Sequence, residues 1–242
     1  MKNTKHCSYR INSYDVGPRR TARLTSIANI LQETAYRHAS ELELGYHHLA
    51  EKNRAWILSR MRIRMHRYPT WDDEIEIETW PHGVDKLFAL RDFVIRSTNG
   101  EVIGEAMTCW LMADLQTHRP LRINPDFIKV KTREDSVFDA TIGKISLPEN
   151  MAKVQSRRAV YSDLDVVDHV NNVKYIEWCL DAMDEEILKK KETADFEINY
   201  FGEARLGDEV EIRSSRNEEV LHFLAYNHSS NRECFRAKML LR

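Results

Sequence analysis

Long apolar runs are missing from this 242-residue sequence. Nothing approaches the ~20 consecutive apolar residues that cross a bilayer. The opening stretch MKNTKHCSYRINSYDVG has basic residues with no apolar core behind them, which excludes a secretory signal. A strand-like pattern begins within it, too early for a Ser/Arg-rich transit segment, so a cytosolic setting is expected. Cysteine is scarce: Cys7, Cys109, Cys179 and Cys234 lie far apart with no C-x-x-C pair, which argues against a disulfide framework and against zinc. A surplus of one charge is lacking too. Thirty-six basic side chains face 38 acidic ones, a net charge of -2, which excludes a dedicated nucleic-acid binder. No Gly-x-Ser-x-Gly elbow or glycine-rich phosphate loop occurs, so serine hydrolases and nucleotide enzymes have little support. His38, Glu41, His47 and His48 gather near one helix end, but no ligand spacing completes them. A solvated helix end is expected there, and no metal or cofactor.

What is present is one order of elements, used twice. A strand over 6–14 precedes a helix over 21–44, whose stripe is Leu24, Ile27, Leu31 and Ala35 and whose stop signal is Gly45. Strands are expected over 56–67, 74–80, 87–96 and 102–115. The second half repeats the order: a strand over 154–161, a helix over 170–190, then strands over 195–201, 209–214, 220–227 and 233–241. The second helix carries Val173, Ile176, Leu180, Met183 and Ile187 at helical spacing. Asp73-Glu74-Ile75-Glu76-Ile77 matches Asp208-Glu209-Val210-Glu211-Ile212 at the same place in each half, which favours duplication. A long amphipathic helix followed by antiparallel strands buries its stripe most economically inside a curved sheet. The expected class is α+β, a double hot-dog of two strand–helix–antiparallel-sheet units in one chain. The units are expected at 1–130 and 154–242, with 131–153 as linker. Such units usually pair sheet to sheet, so one chain can imitate a dimer; a homodimer of whole chains is left open.

Arg60-Met61-Arg62-Ile63-Arg64-Met65-His66-Arg67 alternates basic and apolar residues with period two, placing the arginines on the outer face. A solvated sheet face accounts for this, with a docking face for an acidic partner as the alternative.

The chemistry concentrates in Tyr161-Ser162-Asp163-Leu164-Asp165-Val166-Val167-Asp168-His169-Val170-Asn171-Asn172-Val173-Lys174-Tyr175. Helix capping explains one or two of these acids and amides. It does not explain His169, since a cation is disfavoured at the positive end of a helix, whereas a neutral imidazole beside free N–H groups suits polarising a carbonyl oxygen. Glu203 stands just past the strand pattern Phe196, Ile198, Tyr200. On its own, a turn carboxylate is more often structural than catalytic.

These segments resemble the plant-type acyl-acyl-carrier-protein thioesterases along nearly the whole chain. The similar pieces are Ser13-Tyr14-Asp15-Val16-Gly17, Arg20-Thr21-Ala22, Leu31-Gln32-Glu33-Thr34-Ala35, Arg67-Tyr68-Pro69-Thr70-Trp71, Asp163-Leu164-Asp165-Val166 and His169-Val170-Asn171-Asn172-Val173-Lys174-Tyr175. The resemblance implies an N-terminal unit that shapes the acyl pocket and a C-terminal unit that holds the catalytic residues Asp165, His169 and Glu203. Val167, Val170, Asn171 and Asn172 are then expected to contact substrate, and the partner is acyl-loaded carrier protein, with no nucleic acid and no membrane. Two positions depart: Val167 stands where the family has asparagine, and Ala204 where it has cysteine. Without that thiol, hydrolysis falls to carboxylate-activated water, with Glu203 or Asp165 as general base. His169 and an N–H at the start of the helix would steady the oxyanion, each such donor being worth about 3–4 kcal/mol. Rival readings on the same fold are an acyl-CoA thioesterase, a hydroxyacyl dehydratase and a non-catalytic acyl-binding protein.

Overall fold

The computed structural model describes residues 3–117, 119–123 and 132–242, which form two compact units dividing between Ile142 and Gly143. The expected boundary at 130/131 lies outside the described residues.

The first unit runs Lys5–Arg10 (β1), Leu24–Glu41 (α1), Tyr46–Ala50 (α2), Arg54–Met65 (β2), Glu74–Asp85 (β3), Phe88–Ser97 (β4), Val102–Asp114 (β5) and Pro120–Leu121 (β6). Its antiparallel sheet has the order β1-β3-β4-β5-β2, with β6 beside β5. The expected stripe on α1 is its buried face: Leu24, Ile27, Leu31 and Ala35 all lie within, joined by Ala28, Thr34 and His38. Burying a side chain the size of Ile27 or Leu31 contributes roughly 1.5–3 kcal/mol, so this face and not propensity holds α1 on the sheet. The Tyr9 hydroxyl of β1 meets Thr34 Oγ1 of α1 at 2.8 Å. Gly45 is needed after the helix because a Cβ there would lie 2.5 Å from Ser40 Oγ.

The second unit runs Ala152–Arg158 (β7), Asn172–Asp181 (α3), Glu185–Lys190 (α4), Thr193–Tyr200 (β8), Glu209–Asn217 (β9), Val220–Asn227 (β10) and Arg232–Leu241 (β11). Its sheet order is β7-β9-β10-β11-β8, the same path as in the first unit. The repeat seen in sequence sits at one register in both. Arg10 pairs with Glu74 and Arg158 with Glu209; Ile11 N–H donates to Asp73 O at 2.8 Å, and Ala159 N–H to Asp208 O at 2.9 Å.

Three expectations are corrected. The helix over 170–190 is broken into α3 and α4 by residues 182–184, and the buried face of α3 is Val173, Tyr175, Ile176, Trp178 and Cys179. Leu180 and Met183, counted in the expected stripe, are only half-buried. The basic face of β2 is not a free surface either. Arg62 and Arg64 stack on the Phe138 ring at 4.5 and 4.9 Å, Arg60 stacks on Phe88 at 4.6 Å, and Arg60 also donates to Ile142 O. Phe138 and Ile142, from the stretch read as linker, bury with Leu90, Met107 and Cys109. The reason is local: paired neighbours Arg62–Met107 and Arg60–Cys109 give this sheet face apolar ground between the guanidiniums, and 137–142 covers it. His38 is likewise not solvated; it is 1% exposed and turned inward.

Candidate active site

Asp163, Asp165 and Asn171 build the loop that enters α3. Asp163 is buried, and its Oδ2 accepts from Val160 N–H at 3.0 Å while its carbonyl accepts from Asn171 N–H at 2.9 Å. Asn171 is the N-cap: its Oδ1 accepts from Val173 N–H at 2.9 Å. Between them the chain reverses. Asp165 N–H donates to His169 O at 2.8 Å, and Asp168 adopts a left-handed φ of 60°. Asp165 Oδ1 accepts from Val167 N–H at 3.0 Å and from His169 N–H at 3.3 Å, so this carboxylate fixes the turn that presents His169.

Glu203 is 34 positions away, and a backbone bond brings it in. Val170 N–H donates to Ala204 O at 2.8 Å, and Ala204 N–H donates to the buried Tyr175 hydroxyl at 2.9 Å. The residues preceding this clamp, His169 and Glu203, are thereby side by side, with Nε2 and Oε2 3.2 Å apart. The histidine side chain is 22% exposed and the carboxylate 54%, so the pair is open to solvent and substrate. Asp165 is joined to His169 through the backbone, not through its ring. Val167 is exposed on the rim. The Val170 N–H is consumed by the clamp and is not an oxyanion donor. Asn172 N–H, at the first position of α3, has no acceptor among the described residues. Its carbonyl accepts from the Tyr200 hydroxyl at 3.2 Å. Tyr175 was visible in the sequence but given no role; the signal for it was its place one helical turn beyond Asn171.

The first unit builds the same frame from other side chains. Gly17 N–H donates to Thr21 O at 3.0 Å, Ala22 N–H to Pro69 O at 2.8 Å, and Arg20 repeats the φ of 60°. Where the second unit has Asp165, His169 and Glu203, the first has Gly17, Thr21 and Tyr68. The frame folds without a single member of the ionisable set. Capping and turn formation therefore do not account for all three appearing together in the second unit.

The N-terminal domain model of acyl-ACP thioesterases matches residues 2–130, and the C-terminal domain model matches 148–238. The chain belongs to the acyl-ACP thioesterase family. Among curated relatives of this chain, oleoyl-acyl carrier protein thioesterase 1 of Arabidopsis thaliana is 30% identical over 87% of the chain and 63% of its own length. Palmitoyl-acyl carrier protein thioesterase of Cuphea hookeriana is 31% identical over 80% of the chain and 50% of its own length. The chain thus spans half to under two thirds of the length of these plant relatives. Among solved structures, an acyl-ACP thioesterase from Bacteroides thetaiotaomicron aligns with a TM-score of 0.91 at 26% identity, covering 99% of this chain and 98% of its own. The 12:0-ACP thioesterase from Umbellularia californica shares the fold, with a TM-score of 0.87 at 21% identity over 100% of this chain and 98% of its own. The fold is the double hot-dog of this family.

Three of the chain's four thiols are poorly placed for chemistry. All four cysteines are unpaired. Burial pushes the Cys109 and Cys234 thiols up to about 12 and the Cys179 thiol well above its ordinary value. The reactive species is the thiolate, which these groups do not supply at neutral pH. A variant with all four cysteines changed to serine or alanine should hydrolyse thioesters at the wild-type rate wherever it stays folded. A trapped acyl-cysteine adduct would contradict this.

Proposed function

We propose that this chain hydrolyses acyl thioesters of acyl carrier protein to free fatty acid and carrier. The observation that carries the reading is the His169–Glu203 pair at 3.2 Å, set on a frame that the first unit builds without it. Glu203 takes a proton from water as the water oxygen adds to the thioester carbonyl carbon. His169 and the Asn172 N–H donate to the oxygen that becomes anionic. As the C–S bond breaks, the proton held by Glu203 passes to the leaving sulfur, giving carboxylic acid and thiol. Asp165 sets the turn that aims His169. Val167 lies at the mouth, where an acyl or pantetheine segment would pass. Unpaired cysteines support a reducing compartment such as the cytosol. No helix among the described residues is long and apolar enough to cross a membrane.

The test is release of free acid from matched acyl chains on carrier protein and on CoA. A kcat/KM higher on the carrier by about tenfold or more, equivalent to 1.4 kcal/mol of transition-state stabilisation, is expected. Equal or better rates on CoA would make the chain an acyl-CoA thioesterase on the same site.

A further inference from the structure

The loops that leave β2 and β8 are anchored by the same backbone bonds. Phe201 and Gly202 N–H donate to Cys234 O at 2.8 and 3.2 Å, as His66 and Arg67 N–H donate to Ile103 O at 2.9 and 3.1 Å. Val170 N–H then holds Ala204 O, as Ala22 N–H holds Pro69 O. These bonds align Tyr175 with Ile27, Ala204 with Pro69 and Cys234 with Ile103. The first unit fills the three places with two buried isoleucines and a proline, which has no N–H to satisfy.

The second unit fills them with a hydrogen-bonded chain. Ala204 N–H donates to the Tyr175 hydroxyl at 2.9 Å, and that hydroxyl donates to the Cys234 thiol. All three residues are buried. The rings of Trp178, Phe235 and Tyr200, with centroids 5.1, 5.4 and 6.1 Å from that of Tyr175, hold the phenol in place. Burial pushes its pKa above the ordinary value, so the hydroxyl stays neutral and is neither acid nor base for the reaction. Sulfur is a weak acceptor, so the bond with consequences is the one to Ala204.

That bond grips a particular peptide plane. Peptide units are rigid, so the direction of the Glu203 side chain is set by the planes on either side of its Cα. The Val170 bond holds the plane after Ala204, whereas the Tyr175 bond holds the plane between Glu203 and Ala204. In the first unit the proline ring fixes φ at this place covalently, and the residue before it is Tyr68, not a carboxylate. We propose that Tyr175 is a positioning residue: by holding the Glu203–Ala204 peptide, it keeps the Glu203 carboxylate beside His169. This rests on the acyl-hydrolase reading, in which Glu203 is the base.

Tyr175→Phe removes one oxygen and leaves the ring. On carrier thioesters it should lower kcat about 10–100-fold, since a misplacement of ~1 Å costs up to about 100-fold. KM should stay within about twofold of wild type, because the interaction lost is one made in the transition state. In the Glu203→Gln background the same change should cost less than about twofold, because a tether then has no base to aim. A hydroxyl that serves only packing would leave kcat of the folded variant at wild type, and an independent role would cost the same factor in both backgrounds; either result overturns the proposal. Amide exchange reads the tether with no substrate present. Ala204 N–H should be protected in the wild type and exchange about tenfold or more faster in Tyr175→Phe. Wild-type exchange at Ala204 as fast as in exposed loops overturns the proposal even if the variant does not fold. A wild type that hydrolyses no thioester while Ala204 keeps the expected pattern fails only the hydrolase reading.

Discussion

His169→Ala and Glu203→Gln should each lower kcat by roughly 10²–10⁴-fold on acyl-carrier thioesters while leaving the unfolding temperature near wild type. That loss corresponds to about 3–5 kcal/mol of barrier. A purely structural pair would behave otherwise. With Glu203 54% exposed, its contact with His169 is worth at most ~1 kcal/mol of stability, and removing it would leave turnover untouched. Asp165 separates two roles in one side chain. Asp165→Asn keeps an oxygen to accept from the Val167 and His169 N–H groups, so the turn survives, and Gly17 shows that the frame stands even without it. If Asp165 acts only through the turn, its asparagine variant keeps most of its turnover while Asp165→Gly loses more through a wandering His169. If its charge takes part in the reaction, both variants fall together. Kinetics of the four variants, with circular dichroism to confirm folding, decide among these outcomes. Near wild-type turnover in Glu203→Gln would remove Glu203 as the base.

Much of this architecture was legible because it rests on periodicity. The α1 stripe, the alternation in β2 and β11, and the acidic repeat that opens β3 and β9 all read directly as faces and registers. What failed to read leaves no mark in the periodicity. The break between α3 and α4 is invisible because Met183 and Ile187 continue the helical spacing through it, while Asp184 starts a new helix. Alternation in β2 shows that Arg60, Arg62 and Arg64 face outward from α1, but not that a later aperiodic stretch lies on them. The site divides in the same way. His169 stood out because helix capping does not call for it. Glu203 stood out only as a turn carboxylate and gained a catalytic role through family resemblance alone, since the Val170–Ala204 bond that brings it in is made by backbone and carries no side-chain signature.

That aperiodic stretch gives the largest expected change in stability. Phe138 is 6% exposed, buries with Leu90, Met107, Cys109 and Ile142, and carries the guanidiniums of Arg62 and Arg64 on its ring. Truncating a buried phenylalanine costs about 3–5 kcal/mol, and each stacked cation adds roughly 0.5–1 kcal/mol. A phenylalanine in a free linker would instead change stability by no more than about 0.5 kcal/mol. Phe138→Ala should therefore lower the urea midpoint of the first unit markedly and open the stretch around residue 138 to proteases under native conditions. The charge reversal Arg62→Glu with Arg64→Glu tests the same packing from the other side. If these arginines were a docking face, the reversed protein would keep its stability and its rate on a small thioester, losing only affinity for the acidic carrier. Because they anchor Phe138, stability should fall and rates on both substrates should fall together. A carrier-specific loss at unchanged stability would return the face to docking and leave Phe138 a bystander.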